Sequence, residues 1–373
     1  MSVTATTAIR MFDYLEQYAG LQDEILEAIQ GVLESGSLIL GSHVRAFEEN
    51  FAGFLGVEGE AVGVASGTDA LAIALRALDI GPGDEVITVA NTAVATASAV
   101  RMTGARPVFC EIDRLTLLMD LNAAERRITT RTKAIVPVHL FGNAVDMPRL
   151  VNLAARHGLA VVEDCAQACG TTWEGQMVGT FGDVGCFSFY PTKNLGAYGD
   201  GGLCFARDRR LGDAIRQIRT YGSRMANDCQ REGVNSRLDE MQAAILDVKL
   251  RHLPDHLAQR REVAQVYHEH LCRSIARPVV VAEVDPSYHL VVIATGRREE
   301  LIARLAAEEI GFGIHYPTPI HRMEGYSFLG YGEGSLGITE HFAGQVLSLP
   351  CYPELQSEAV RRVCSAVNDV IGN

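Results

Sequence analysis

Between Ala61 and Phe205 the chain alternates short apolar runs with helix-period stretches, and this alternation constrains the fold more than any other feature. The candidate strands are residues 61–64, 85–89, 107–110, 134–138, 159–163, 185–189 and 202–205; helical stretches at 68–78, 92–103, 123–128 and 147–157 lie between several of them. Pro107 is tolerated because it would be the first residue of its strand, where no ladder N–H is needed. Gly81-Pro82-Gly83-Asp84 and Phe141-Gly142-Asn143 are turn punctuation. Apolar strands separated by amphipathic helices predict an α/β domain with a mostly parallel sheet covered on both faces.

After Phe205 the pattern changes. Residues 208–219 and 236–270 read as helices, the second broken near Pro254, since proline removes an N–H from the helical ladder. Residues 287–294, 299–310, 340–347 and 354–371 form a smaller α+β unit, with amphipathic residues 21–33 expected to pack on it. A chain of 373 residues is long for one core. The expected division is a large α/β domain at 1–246, with residues 1–35 reaching the small domain, and a C-terminal α+β domain at 247–373. Net charge is −13 with Lys and Arg dispersed, which argues against a nucleic-acid groove. No apolar run approaches the ~18 residues of a membrane helix, and the polar start of the chain carries no apolar signal-peptide core; a cytoplasmic protein is expected. The nine cysteines are scattered, and Cys165 and Cys169 have no second Cys or His pair to complete a zinc pattern. No metal is expected, and the thiols read as small buried hydrophobes in a reducing compartment.

Three segments carry chemistry. In Phe187-Ser188-Phe189-Tyr190-Pro191-Thr192-Lys193-Asn194-Leu195-Gly196 a β-prone run delivers an amine into a turn lined by aromatic and hydroxyl groups. A desolvated lysine there can act as a nucleophile, although a lone lysine after a strand is usually a solvated charge. Asp164 ends the apolar run 159–164, at the strand end where open α/β sheets bind ligands. It suits a protonated ring nitrogen, or equally a helix cap. In Ser66-Gly67-Thr68-Asp69-Ala70-Leu71 a strand gives way to a helix opening with small residues, so free N–H groups converge as an anion site requires. An ordinary capped helix is the alternative. Gly332-Glu333-Gly334-Ser335-Leu336-Gly337 matches a dinucleotide fingerprint but lacks a surrounding βαβ unit. It therefore gives no support to a nicotinamide-dependent dehydrogenase.

Taken together, these segments resemble the DegT/StrS family of pyridoxal-phosphate (PLP) sugar aminotransferases, of fold type I. Pro137-Val138-His139-Leu140-Phe141-Gly142, Glu163-Asp164-Cys165-Ala166-Gln167-Ala168, Asn235-Ser236-Arg237-Leu238-Asp239-Glu240 and Ile314-His315-Tyr316-Pro317 extend the likeness over nearly the whole chain. The resemblance implies Lys193 as the Schiff-base lysine, Asp164 as the partner of the pyridine nitrogen and Gln167 on the ring hydroxyl. It implies a phosphate held by the backbone of Gly67, Thr68 and Asp69, by the Ser188 hydroxyl and by Asn235 from the facing subunit of a homodimer. Tyr190, His315 and Tyr316 would line the hexose, and Tyr221 and Arg224 the nucleotide pyrophosphate. The implied reaction moves an amino group from L-glutamate to a nucleotide-linked ketosugar, with a dTDP-3-keto-6-deoxyhexose favoured and a 4-keto sugar as the alternative. A non-catalytic PLP-binding regulatory protein is a further alternative, which lacks a basic patch to support it. One departure concerns Ala93, which follows Asn91-Thr92 where many relatives carry an aromatic cover for the pyridine face.

Overall fold

A computed structural model describes residues 8–225 and 228–372. Its first helices are α1 (Tyr14–Ser35) and α2 (Ser42–Leu55). The sheet region then runs β1 (Glu60–Val64), α3 (Gly67–Ala77), β2 (Glu85–Val89), α4 (Val94–Met102), β3 (Arg106–Cys110), α5 (Leu121–Glu125), β4 (Thr132–Ile135), α6 (Met147–His157) and β5 (Ala160–Asp164). Two short strands follow, β6 (Thr172–Trp173) and β7 (Gln176–Met177), then β8 (Val184–Ser188), β9 (Gly202–Ala206) and α7 (Arg209–Ile218). The central sheet has seven strands in the order β1-β9-β8-β5-β4-β2-β3. Pairing is parallel from β3 through to β8, and β9 alone runs antiparallel to both of its neighbours. The α/β architecture read from the alternation is therefore present, with β4 ending earlier than its apolar run suggested.

A hairpin of β10 (Ser223–Met225) and β11 (Asp228–Cys229) leads to α8 (Glu240–His270). The expected break at Pro254 does not occur, since α8 is continuous through it. Leu250, Leu253 and Leu257 on the adjoining turns are buried in one cluster with Phe47, Phe51 and Phe189, and this packing outweighs one missing N–H. The same helix contributes Val263 and Tyr267 to a second cluster with Ile293, Leu301, Leu347 and Val363. That cluster is built on β13 (Val291–Ala294), α9 (Arg298–Ala307), β14 (Val346–Leu349) and α11 (Ser357–Ile371), whereas β12 (Val284–Asp285) buries Val284 in the first cluster and α10 (Gly337–Ala343) packs Ile338 and Phe342 near Ile87 and Val138 of the sheet. Residue 246 thus falls inside a helix that serves both cores.

α2 is not among the helices expected from the sequence, although Val44, Phe47, Phe51 and Leu55 recur at helical intervals and are buried. Its N-terminus is capped from α8: the Glu240 carboxylate accepts the N–H groups of Gly41 at 2.6 Å, His43 at 3.0 Å and Val44 at 3.0 Å. α1 packs Leu21 and Ile25 against Ile245 and Val248 of α8. Ile9 reaches the C-terminal unit through a parallel bridge to Ile310, and residues 1–7 lie outside the described residues. Among the described residues no helix is long and apolar enough to cross a membrane.

Candidate active site

Strand ends place the site. β1 runs out into Ser66, whose hydroxyl caps α3 by accepting the Asp69 N–H at 3.1 Å, while Ala70 N–H donates to the Ser66 carbonyl. Among the described residues the N–H groups of Gly67 and Thr68 have no partner, as the first turn of a helix leaves them. A side chain at Gly67 would place its Cβ 2.6 Å from Ser188 Cβ, so only glycine lets this turn lie against the end of β8. Gly202 is equally constrained, because a Cβ there would meet the Ser66 carbonyl at 2.3 Å. Two N–H groups and the Ser188 hydroxyl, converging at a helix N-terminus, form a cradle suited to a phosphate.

Asp69 departs from expectation. Its N–H is taken by Ser66, and its carboxylate accepts the Ser236 hydroxyl at 2.8 Å, so Asp69 braces the turn and is absent from the cavity lining.

Asp164 is the last residue of β5 and is 4 % exposed. The Thr96 hydroxyl donates to its Oδ2 at 2.7 Å and the Ala166 N–H to its Oδ1 at 3.1 Å. Burial pushes its carboxyl pKa up; these two hydrogen bonds and the charge of Lys193 oppose the shift. Such a carboxylate favours a cationic partner in the cavity. Thr96 is not among the residues singled out from the sequence; it lies one turn after Thr92, with the two hydroxyls 3.1 Å apart.

Lys193 follows β8 in a turn closed by its N–H donating to the Tyr190 carbonyl at 2.8 Å. Burial pushes its ammonium pKa down to about 8, against the pull of Asp164, although part of its surface stays open to the cavity. Among the described residues its amine has no hydrogen-bond or ion-pair partner. Gln167 is held by the Phe141 N–H, which donates to Oε1 at 2.8 Å, and this leaves Nε2 to donate to the Tyr316 hydroxyl at 3.0 Å. Burial and the Asp164 charge push that hydroxyl up to about 12. His315 pairs through Nδ1 with the Ser348 hydroxyl at 2.8 Å, and burial with the Lys193 charge brings its pKa down to about 4.

Gly67, Thr68, Asp164, Gln167, Ser188, Tyr190, Lys193, His315 and Tyr316 line one cavity of about 360 Å³. Thr92, Ala93, Asp200 and His289 complete much of its wall. Asn235, Tyr221 and Arg224 do not join it within the chain. Asn235 is exposed and lines an adjoining hollow that shares Asp200. Tyr221 is 55 % exposed, and Arg224 borders a separate hollow with Arg216 and Arg219. A broader hollow of about 960 Å³ holds none of the expected site residues.

His139, Glu163 and Cys165 bring ligand atoms within 4.8 Å of one another, but those of Glu163 and His139 are already engaged. The Glu163 carboxylate accepts N–H groups from Gly179, Phe181 and Gly182. His139 accepts the Val145 N–H at Nδ1, so its Nε2 is the donor to Glu163 at 3.1 Å. This cluster fixes the strand beneath Asp164.

An anion cradle, a buried carboxylate and a low-pKa amine on one cavity wall define a site for a phosphorylated carbonyl cofactor. Residues 20–368 match the DegT/DnrJ/EryC1/StrS aminotransferase family. A UDP-N-acetyl-3-dehydro-alpha-D-glucosamine 3-aminotransferase of Acidithiobacillus ferrooxidans is 45% identical over 366 residues, 98% of each chain. A dTDP-3-amino-3,4,6-trideoxy-alpha-D-glucose transaminase of Micromonospora megalomicea is 45% identical over 97% of this chain and 98% of its own. The crystal structure of S. venezuelae DesV in complex with a ketimine intermediate superposes with a TM-score of 0.96 at 43% identity, covering 99% of this chain and 100% of that one. The chain belongs to the DegT/DnrJ/EryC1/StrS aminotransferase family. It is a PLP-dependent sugar aminotransferase of fold type I.

Proposed function

We propose that this enzyme transfers the amino group of L-glutamate to a nucleotide-linked 3-ketohexose, with a dTDP-3-keto-6-deoxyhexose as the acceptor. The observation that carries the reading is the convergence of an unpartnered Lys193, a buried Asp164 and the Gly67–Thr68–Ser188 cradle in one cavity. The named relatives favour position 3 of the hexose, one on UDP and one on dTDP. Tyr190, His315 and Tyr316 form the wall we assign to the sugar.

PLP, when bound, supplies an electron sink for the carbanion formed as the amino group moves. The chain's residues bind and direct it. Gly67 and Thr68 N–H groups and the Ser188 hydroxyl hold the phosphate, joined by Asn235 of the partner subunit in a homodimer. Asp164 holds a proton on the pyridine nitrogen, and Thr96 and Ala166 aim its oxygens. Gln167, fixed by Phe141, presents Nε2 toward the ring hydroxyl. Lys193 Nζ would hold the cofactor's carbonyl carbon and, as a free amine, would move the proton to and from the substrate carbon; burial, which brings its pKa down to about 8, favours the neutral amine that such a role requires. We place the enzyme in the cytoplasm, where its nine free cysteines remain reduced.

Supplying the holoenzyme with L-glutamate and a panel of dTDP-, UDP- and GDP-linked 3- and 4-ketosugars tests the proposal, with products identified by mass and NMR. Amination at C3 of the dTDP sugar is expected. A preference for a UDP sugar or for C4 would replace the substrate assignment, and inactivity with every acceptor would overturn the proposed activity.

A further inference from the structure

A second pocket lies behind the turn that holds Gln167. Its volume is about 480 Å³, within the range of small-molecule sites. Ala264, Tyr267 and His268 of α8 form one side, and β13 with the segment before it forms another. The turn Phe141–Gly142–Asn143 closes it toward the sheet, and Phe141 is the residue whose N–H fixes Gln167. Residues 286–290 are the partition between this pocket and the active-site cavity. Tyr288 and Leu290 line the pocket, while His289 between them lines the cavity, its Nδ1 3.3 Å from Asn194 Oδ1. The Ser287 and Leu290 N–H groups donate to the Gly142 and Phe141 carbonyls, and between them Tyr288 is held at φ 44°, a left-handed value that an aromatic residue rarely takes.

Most of the lining is apolar, and its charge is one-sided. Among the described residues Arg277 is the one Arg or Lys on the wall, and no Asp or Glu lines it. The chain carries 46 acidic side chains against 33 Lys and Arg, so an acid-free wall around an arginine runs against its overall charge. Arg277 is half-buried, and its guanidinium makes no hydrogen bond or ion pair among the described residues; Nη1 is buried without a partner. A cation in that position is unfavourable until a counter-charge joins it. His268 and Tyr288 line the same pocket, and neither the imidazole nor the hydroxyl has a hydrogen-bond partner among the described residues. An apolar pocket with a few uncommitted polar groups is the usual form of a small-molecule site.

We propose that this pocket binds a small carboxylate with an apolar body, with Arg277 as its counter-charge. A guanidinium fork matches the two oxygens of a carboxylate. A phosphate dianion would keep one charge uncompensated against a single cation. A sugar would lose water from its hydroxyls against apolar walls without regaining the hydrogen bonds. The site is separate from the Lys193 cavity, goes beyond the proposed function and stands without it.

Calorimetric titration of the PLP-loaded protein with 4-phenylbutyrate tests this, and one site per chain is expected. 4-Phenylbutan-1-ol keeps the apolar body and lacks the charge, so it should bind at least about tenfold more weakly; 4-phenylbutyrate should lose a similar factor on Arg277→Met. Arg277→Lys keeps a charge without the fork and should recover part of that affinity. Val279→Trp leaves Arg277 in place and adds bulk at a 42 % exposed position on the pocket wall, so it should also weaken binding. The titrations use variants whose far-UV circular dichroism matches wild type. Absence of saturable binding overturns the proposal. So does an affinity unchanged in Arg277→Met, which would put the carboxylate elsewhere, the Lys193 cavity included, or an acid and an alcohol that bind alike. None of these readings uses turnover, so their failure leaves the aminotransferase activity untouched.

Discussion

Two desolvated lysines flank the same loop, and they differ in what surrounds the amine. Lys193 closes the turn after β8. Lys249 rises from α8 beneath it, donates to the Gly196 carbonyl, and lies 5.0 Å from the centroid of the Tyr198 ring. Burial pushes both ammonium groups down to about 8. Lys249 is 3 % exposed and its charge is shared with a carbonyl and an aromatic face. Lys193 has no such partner; it faces a cavity that also holds a buried carboxylate and an anion cradle. A lowered pKa therefore marks desolvation. An unpartnered amine beside complementary groups is what marks chemistry.

The largest separation between the two lysines should come from deleting each amine. Lys193→Ala is expected to lower turnover with L-glutamate by on the order of 10²–10⁴-fold or more while the protein stays folded; appreciable residual transamination would return Lys193 to the same class as Lys249. Asp164→Asn sharpens the contrast by removing the carboxylate that shares the cavity with Lys193. A loss of roughly 10²-fold with unchanged secondary structure is expected, and near-wild-type turnover would take Asp164 out of the chemistry. A smaller effect belongs to Asn235→Ala, which should weaken PLP retention by about tenfold through loss of one hydrogen bond to a charged phosphate. Unchanged retention on dialysis would count against a contribution from the facing subunit.

Much of this site is legible in the sequence because its parts end strands. Asp164 closes an apolar run, Lys193 follows one, and Gly67 opens a helix directly after one. Ser66-Gly67-Thr68-Asp69 also has the spacing of a helix cap, and the cap consumes the Asp69 N–H that an anion site would otherwise use. That consequence can be read from the spacing. The pairing of Asn194 with His289 cannot, because it joins segments 95 residues apart and depends on how the C-terminal unit docks on the sheet. Pro254 carries the same lesson from the opposite side. Its local rule predicts a break, and the burial of Leu250, Leu253 and Leu257, which depends on tertiary packing, keeps the helix whole.

Lys249→Met, the mildest change, isolates the structural member of the pair. It is expected to leave turnover per folded molecule within a few-fold of wild type, since Lys249 is absent from the cavity lining. The effect should appear in stability. With the folded pKa near 8 and the ordinary lysine value 10.5, the unfolded chain binds more protons at Lys249 than the native one between those two pH values. Unfolding free energy rises with pH wherever that holds. Wild type should therefore gain stability relative to Lys249→Met as pH climbs from about 8 toward 10.5, and the two should keep a constant offset below pH 7. At low pH the methionine removes a buried charge but leaves the Gly196 carbonyl without its donor. These terms oppose each other, so the sign of the offset is less informative than its slope. Urea titrations of both proteins at pH 7, 8 and 9 measure that slope. A flat difference would mean that the hydrogen bond to Gly196 and the Tyr198 face keep Lys249 protonated throughout, and the contrast with Lys193 would then extend to the pKa itself.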